Sequence, residues 1–259
     1  SILSVSLLCF VLVPLLSVVS TASSTRRNLS SRRSLASCPC KNPTWCDPIN
    51  IPLYSRKELY AFSLQEEEWP MYDWDDITTM AHAFPLSQSS VCLAHSHNAR
   101  VVFTIKIPPT LLRSNTTIVQ QLNWVHQLVD RVESLGGDGL NVDYEEEVRS
   151  NDKTTQQALT LVTQLLQIEL KKRNPYSSLV WDFGWKPSID DRYYEYDKLA
   201  AICDYVFLMV YDTQSQIDKG PPCLAGPNSP TSAVQKSLEW YSSSLQIPFE
   251  KTILGPQKN

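Results

Sequence analysis

Long runs of lysine and arginine are missing beyond the N-terminal segment, and the formal net charge is −4. That excludes a nucleic-acid channel, whose affinity comes from basic groups neutralising phosphates. A thiol and histidine cluster is missing as well. Cys38-Pro-Cys40 has a spacing that metal or redox sites use, yet no matching set of ligands accompanies it, so no metal and no cofactor is expected. Long apolar runs are scarce: only residues 2–19 approach the ~20 residues that span a bilayer. This run contains Pro14 and is followed by the small polar residues STASST, which favours a cleaved secretory leader over a membrane anchor. The expected organisation is a signal peptide over 1–22, a disordered Ser-rich and Arg-containing linker over 23–37, and one domain over 38–259. No stable membrane span is expected after cleavage. Because the chain opens at Ser1 without a methionine or basic leader, its natural beginning is expected to lie further upstream.

What is present is a globular composition. The 259 residues are 42% hydrophobic and 19% charged, enough for one large α/β domain or two small ones. Setting aside Cys9 in the leader leaves Cys38, Cys40, Cys46, Cys92, Cys203 and Cys223, an even set that favours disulfides in an exported chain. Asn28-Leu-Ser and Asn115-Thr-Thr are glycosylation sequons, and Asn115 is the one inside the expected domain.

The apolar pattern repeats in one order. Strands are predicted at 58–64, 78–84, 99–105, 139–145, 178–185, 204–211 and 251–255, each short and rich in aromatic or β-branched residues. Helical spacing is predicted over 117–134, 153–172 and 230–244, with Gly136-Gly137 ending the first and Pro175 barring extension of the second. Long crossovers of this kind require parallel pairing. Seven parallel strands fit either an open doubly wound sheet or most of a (β/α)8 barrel. The polar face of the fourth strand favours the barrel, an α/β TIM barrel that is incomplete here because an eighth strand is missing.

That fourth strand is Asp138-Gly139-Leu140-Asn141-Val142-Asp143-Tyr144-Glu145. Alternation sends Asn141, Asp143 and Glu145 to one side and Val142 and Tyr144 to the other. Polar groups facing inward are costly unless hydrogen-bonded or used by a ligand. Two neighbouring carboxyls also separate in acidity, one kept protonated while the other stays ionised, which is the arrangement that acid catalysis of glycoside cleavage needs. A magnesium site or a polar bend would use the same residue types, but the segment has no distinctive ligand spacing.

The string DGLNVDYE resembles the DGxxxDxE signature of glycoside hydrolase family 18, the chitinase-like proteins. CPCKNPTWC (38–46), YDWDDITT (72–79), DGLNVDYEEEV (138–148) and CDYVFLMVYDTQSQ (203–216) extend the resemblance over about residues 38–255. It implies that Glu145 is the acid/base, that Asp143 orients and stabilises the substrate's acetamide, and that Asp138 supports the acidic array. It further implies that Asn141, where many members carry aspartate, is a subgroup feature, and that Tyr211 and Asp212 contact the acetamide and sugar. Trp181, Phe183 and Trp185 alternate along the fifth strand and are candidate sugar platforms, with barrel-core packing as the alternative. Pro85 stands where many relatives have glycine, which bears on the shape of the adjacent loop.

The implied activity is retaining, substrate-assisted hydrolysis of β-1,4-linked N-acetylglucosamine in chitobiose-type oligosaccharides, releasing the reducing-end sugar. The expected location is the secretory pathway, ending in the lysosome or outside the cell, and the expected partners are N-acetylglucosamine oligosaccharides. The residues after the seventh strand, Pro-Gln-Lys-Asn, hold neither an eighth strand nor the tryptophan that relatives usually place there. A non-catalytic sugar-binding protein of the same family, or an inactive truncated product, is therefore the alternative.

Overall fold

The computed structural model describes residues 38–213 and 227–256. Seven parallel strands pair strictly in sequence order: β1 (Tyr60–Ser63), β2 (Thr79–Ala83), β3 (Arg100–Ile105), β4 (Gly139–Val142), β5 (Ser178–Gly184), β6 (Tyr205–Met209) and β7 (Thr252–Gly255). This order is that of a (β/α)8 barrel lacking one strand, and it excludes the doubly wound sheet, whose strand order reverses partway. Among the described residues there is no eighth strand, so β1 and β7 keep free edges. A cavity of about 440 Å3 lies between them, bordered by Leu59, Tyr60, Ile253 and Leu254.

Helices cover the outer face. The helix α2 (Ile118–Leu135) begins at Thr117, whose hydroxyl accepts the Gln120 N–H while the Gln120 side chain accepts the Thr117 N–H. It stops at Gly136, whose φ of 74° is cheap only without a side chain. The helix α3 (Lys153–Arg173) starts on Asp152, which accepts the Thr155 N–H, and ends on Lys171, Lys172 and Arg173, cations that suit the negative end of its dipole. A π-helical turn over Glu239–Ser244 continues α5 (Thr231–Leu238), so the predicted span 230–244 is helical with a change of winding. Two further helices, α1 (Gln88–Ser96) and α4 (Tyr196–Ile202), are short and lacked a clear sequence signal. No helix among the described residues is long and apolar enough to cross a membrane. The predicted signal peptide and linker lie outside the described residues.

The large core lies between sheet and helices and contains Val142, Tyr144, Trp181, Phe183 and Leu208. A smaller cluster of Val180, Tyr205, Phe207 and Ile253 fills the barrel. Gly139 marks the tightest strand contact, since a Cβ there would lie 1.9 Å from the Ser178 carbonyl oxygen. Cys38–Cys46 closes a loop within the N-terminal segment, and Cys40–Cys92 ties that segment to α1. Those bonds leave Cys38, Cys40 and Cys46 without free thiolates to hold a metal, although their sulfurs cluster. Cys203 departs from the expected pairing and is a buried free thiol; Cys223 lies outside the described residues. Asn115 is exposed in the loop before α2, as a glycosylation acceptor must be.

Candidate active site

The acidic array sits at the C-terminal mouth of the barrel. The fourth strand is shorter than predicted: its ladder ends at Val142, with one further bond from the Asp143 N–H to the Ile105 carbonyl at 2.9 Å. Residues 143–145 therefore rise out of the sheet, because β3 also ends at Ile105 and offers no further partners. The alternation survives this change. Val142 and Tyr144 are buried against the helices, while Asn141, Asp143 and Glu145 climb from the sealed interior to the rim.

Each step of that climb has a different environment. Asn141 is fully buried, and its Nδ2 donates to Asp182 Oδ1 at 2.6 Å. Asp143 is partly buried. Burial and then the Glu145 charge raise its carboxyl above the usual range, with Lys106 and Arg192 pulling the other way. Glu145 is 40% exposed at its side chain and pairs with Arg192, Oε2 to Nη1, at 2.8 Å.

The loop between β5 and α4 holds Glu145 in place. Val148 N–H donates to the Asp191 carbonyl and Tyr193 N–H to the Val148 carbonyl, both at 2.9 Å, so this loop pairs with the chain following β4. The Tyr194 hydroxyl donates to the carbonyls on either side of Glu145, those of Tyr144 at 3.0 Å and Glu146 at 2.8 Å. Arg192 and Tyr194 were not legible as site residues, because neither belongs to a strand pattern or to the signature.

Glu145 lines a cleft of about 310 Å3 with Trp185, Arg192, Met209, Tyr211 and Asp212. That volume falls at the lower end of small-ligand sites, roughly 300–1,000 Å3. Tyr211 follows β6 and lies among the carboxyls of Asp182, Glu145 and Asp143; burial, then those charges, push its phenol well up, so it is a hydrogen-bond donor at neutral pH. Asp212 sits at the exposed edge with a φ of 51°, and its N–H donates to the Asn228 side chain.

Three expectations are corrected. Trp181 and Phe183 do not face the barrel interior: both are fully buried on the helix side, where Phe183 meets Tyr196 and Tyr241 and Trp181 meets Tyr194. The inward position between them is Asp182, so of the two readings given for Trp181 and Phe183 the structure favours core packing. Trp185, beyond the strand end, is the aromatic that lines the cleft, packed on Trp240 at 5.8 Å. Asp138 does not join the array. It lies at the opposite end of β4 and faces outward, accepting from the N–H groups of Ile49 (2.6 Å) and Val101 (2.7 Å) and from His95 Nε2 (2.8 Å).

A wider cavity of about 390 Å3 opens at the other end of the strands, bordered by Pro48, Val132, Arg173 and Tyr176. Its acidic lining residues are Asp47 and Glu133, and neither belongs to the array of Asn141, Asp143 and Glu145.

Comparison with known proteins follows the same lines. The model of the glycosyl hydrolases family 18 matches residues 115–256. Di-N-acetylchitobiase of Mus musculus is 33% identical over 232 residues, 89% of this chain and 59% of that protein. The Homo sapiens di-N-acetylchitobiase is 32% identical over 221 residues, 84% of this chain and 54% of its own length. Probable di-N-acetylchitobiase 2 of Dictyostelium discoideum is 30% identical over 220 residues, covering 84% and 55%. The chain thus spans a little over half the length of these relatives. Among solved structures, a chitinase from Bacteroides thetaiotaomicron superposes with a TM-score of 0.61 at 16% identity, covering 76% of this chain and 66% of that one. A class V chitinase from Nicotiana tobaccum gives 0.61 at 14% identity, covering 77% and 66%. At these identities the structural likeness concerns the fold alone.

Proposed function

Since the chain belongs to glycoside hydrolase family 18, we propose that it hydrolyses β-1,4-linked N-acetylglucosamine in chitobiose-type oligosaccharides, with retention of anomeric configuration and release of the reducing-end sugar. The observation that carries this reading is that Glu145 and Tyr211 line one sugar-sized cleft at the strand ends, with the partly buried carboxyl of Asp143 close enough to interact with both. Names of the relatives support the substrate class.

In this reading Glu145 protonates the bridging glycosidic oxygen as the bond to the anomeric carbon breaks. No second enzyme carboxylate stands as nucleophile. The acetamide oxygen of the substrate attacks the anomeric carbon instead, a recognised departure from the two-carboxylate scheme. Asp143 orients the acetamide N–H and faces the positive charge that develops on it. The Tyr211 hydroxyl donates to the acetamide oxygen, which gives the intramolecular attack its geometry. Glu145, now a carboxylate, then takes a proton from water as that water opens the cyclic intermediate. Trp185 offers the sugar an apolar face, and Asp212 a polar contact at the rim. The apolar leader and exposed Asn115 fit passage through the secretory pathway, toward the lysosome or the cell exterior, with a signal over 1–22, a linker over 23–37 and the family domain from 38.

The test is product analysis with a reducing-end-labelled N-acetylchitooligosaccharide, beside the same sugar lacking its N-acetyl groups. Release of labelled monosaccharide from the acetylated substrate alone is expected. Binding without cleavage would move the chain to the sugar-binding alternative.

A further inference from the structure

We propose that Asp182 is a positioning carboxyl for this reaction, the partner that Asp143 draws from β5 because β4 presents an amide at position 141. The proposal rests on the glycosidase reading and deepens it.

The strand register carries the inference. The β4–β5 ladder ends with Val142 opposite Trp181, and the residues that follow them, Asp143 and Asp182, lie close enough for the Asp143 charge to bear on Asp182. One layer below, Asn141 reaches across and donates Nδ2 to Asp182 Oδ1 at 2.6 Å. The orientation of Asp182 is thereby fixed, with one oxygen held by the amide and the other left over. Asp182 is 3% exposed, and among the described residues no cation pairs with it.

A buried carboxyl with no counter-charge stays protonated, because ionising it forfeits hydration that nothing replaces. Burial, followed by the charges of Asp143 and Glu145, raises Asp182 well above the ordinary carboxyl value despite the opposing Asn141 amide. The Asp143 carboxyl shares a hydrogen bond with Glu145, yet Asn141 Oδ1 and Asp143 Oδ1 are both buried and neither has a hydrogen-bond partner among the described residues. A protonated Asp182 supplies the O–H this layer lacks. Directed at Asp143, that O–H favours the ionised form of Asp143 and fixes its rotamer, while adding no third negative charge when Glu145 gives up its proton. Asp182 makes no bond to substrate, and its proton stays within the Asp143–Asp182 pair.

Substituting Asp182→Asn and building the exchange Asn141→Asp/Asp182→Asn tests this. The exchange moves the carboxyl from β5 to β4 and keeps the amide–carboxyl pair. For Asp182→Asn, kcat on the labelled oligosaccharide is expected to fall about 10-fold or more with KM little changed, with an altered pH profile, and the exchange is expected to regain most of the loss. In infrared spectra at neutral pH, the wild-type chain is expected to show a protonated carboxyl stretch that Asp182→Asn removes. That spectrum judges the pairing even in a chain that cleaves nothing, so failure of the glycosidase reading and failure of this one are separable. Wild-type kcat and pH profile in Asp182→Asn, a folded but inactive exchange variant, or no protonated carboxyl band lost in the single variant would each overturn the proposal. Should the single variant fail to fold, the exchange decides alone: folded and active supports, folded and inactive overturns.

Discussion

Arg192 and Glu145 form an ion pair across the mouth of the barrel, Nη1 to Oε2 at 2.8 Å, where the loop after β5 folds over the end of β4. Arg192 also reaches Asp190 at 3.6 Å, and its backbone carbonyl accepts from the Tyr196 hydroxyl at 2.6 Å, so its own position is fixed. A half-exposed pair of this kind stabilises the fold by no more than ~1 kcal/mol. Its consequence is placement of the carboxyl that the proposed chemistry uses.

For that reason Arg192→Gln is expected to lower kcat by about 10-fold, a fraction of what general acid catalysis contributes, with KM and thermal midpoint nearly unchanged. Arg192→Lys, which keeps charge but loses the planar fork, is expected to fall between. Steady-state kinetics with melting curves checks this; an unchanged kcat would leave Arg192 a surface residue.

Asp182 makes stability depend on pH. Its folded-state acidity is weakened above the unfolded carboxyl value of about 3.9, so the folded chain binds the extra proton. Stability from this group is therefore complete below about pH 4 and declines as pH rises through the folded value. In Asp182→Asn the fall of melting temperature with rising pH above about pH 4 is expected to flatten. Parallel curves for both proteins would show that Asp182 does not carry the effect.

The buried pair of His95 and Asp138 governs stability away from the cleft. Both ring nitrogens of His95 face acceptors, Asp138 Oδ2 and the Trp45 carbonyl, each at 2.8 Å, which requires the doubly protonated ring. Burial alone would lower its pKa, but the Asp138 charge and these hydrogen bonds raise it overall. Asp138→Asn removes the charge yet leaves the ring buried, and about 3–5 kcal/mol of destabilisation is expected by denaturant titration. Stability contributed by His95 is present below the unfolded histidine value of about 6.5 and declines as pH rises through the raised folded value. A loss under 1 kcal/mol would contradict the buried-pair reading.

The free edges of β1 and β7 expose Phe62 (42%) and Leu254 (40%), which an additional strand would cover. Such edges recruit other strands. Phe62→Lys is expected to reduce concentration-dependent self-association measured by light scattering. Equal scattering from both proteins would mean that the edges are not the adhesive surface.

The seven strands were legible because each is short and apolar in character, most are rich in aromatic or β-branched residues, and several are followed by long crossovers; the polar residues of 141–145 lie at the C-terminal end of β4. Two kinds of error remained. Period-2 alternation gives the faces of β5 but not which face is inside, so it could not tell the aromatics at 181 and 183 from the inward Asp182 between them. The signature also grouped Asp138 with residues that the strand sends to its other face and other end. Arg192 and Tyr194 were invisible for a different reason: their contact with β4 is made by an irregular loop whose path no periodicity encodes. The short helices α1 and α4 escaped because nine and seven residues provide little periodic signal.

Glu145 is the residue on which the proposed chemistry turns, and Glu145→Gln keeps its shape while removing the transferable proton. Turnover of labelled N-acetylchitooligosaccharide and affinity for the same sugar should be measured on the wild-type chain and this variant together. The expected result is cleavage by the wild type, at least about 100-fold slower cleavage by the variant, and equal binding. Turnover by Glu145→Gln within a few-fold of the wild-type rate would contradict the assignment.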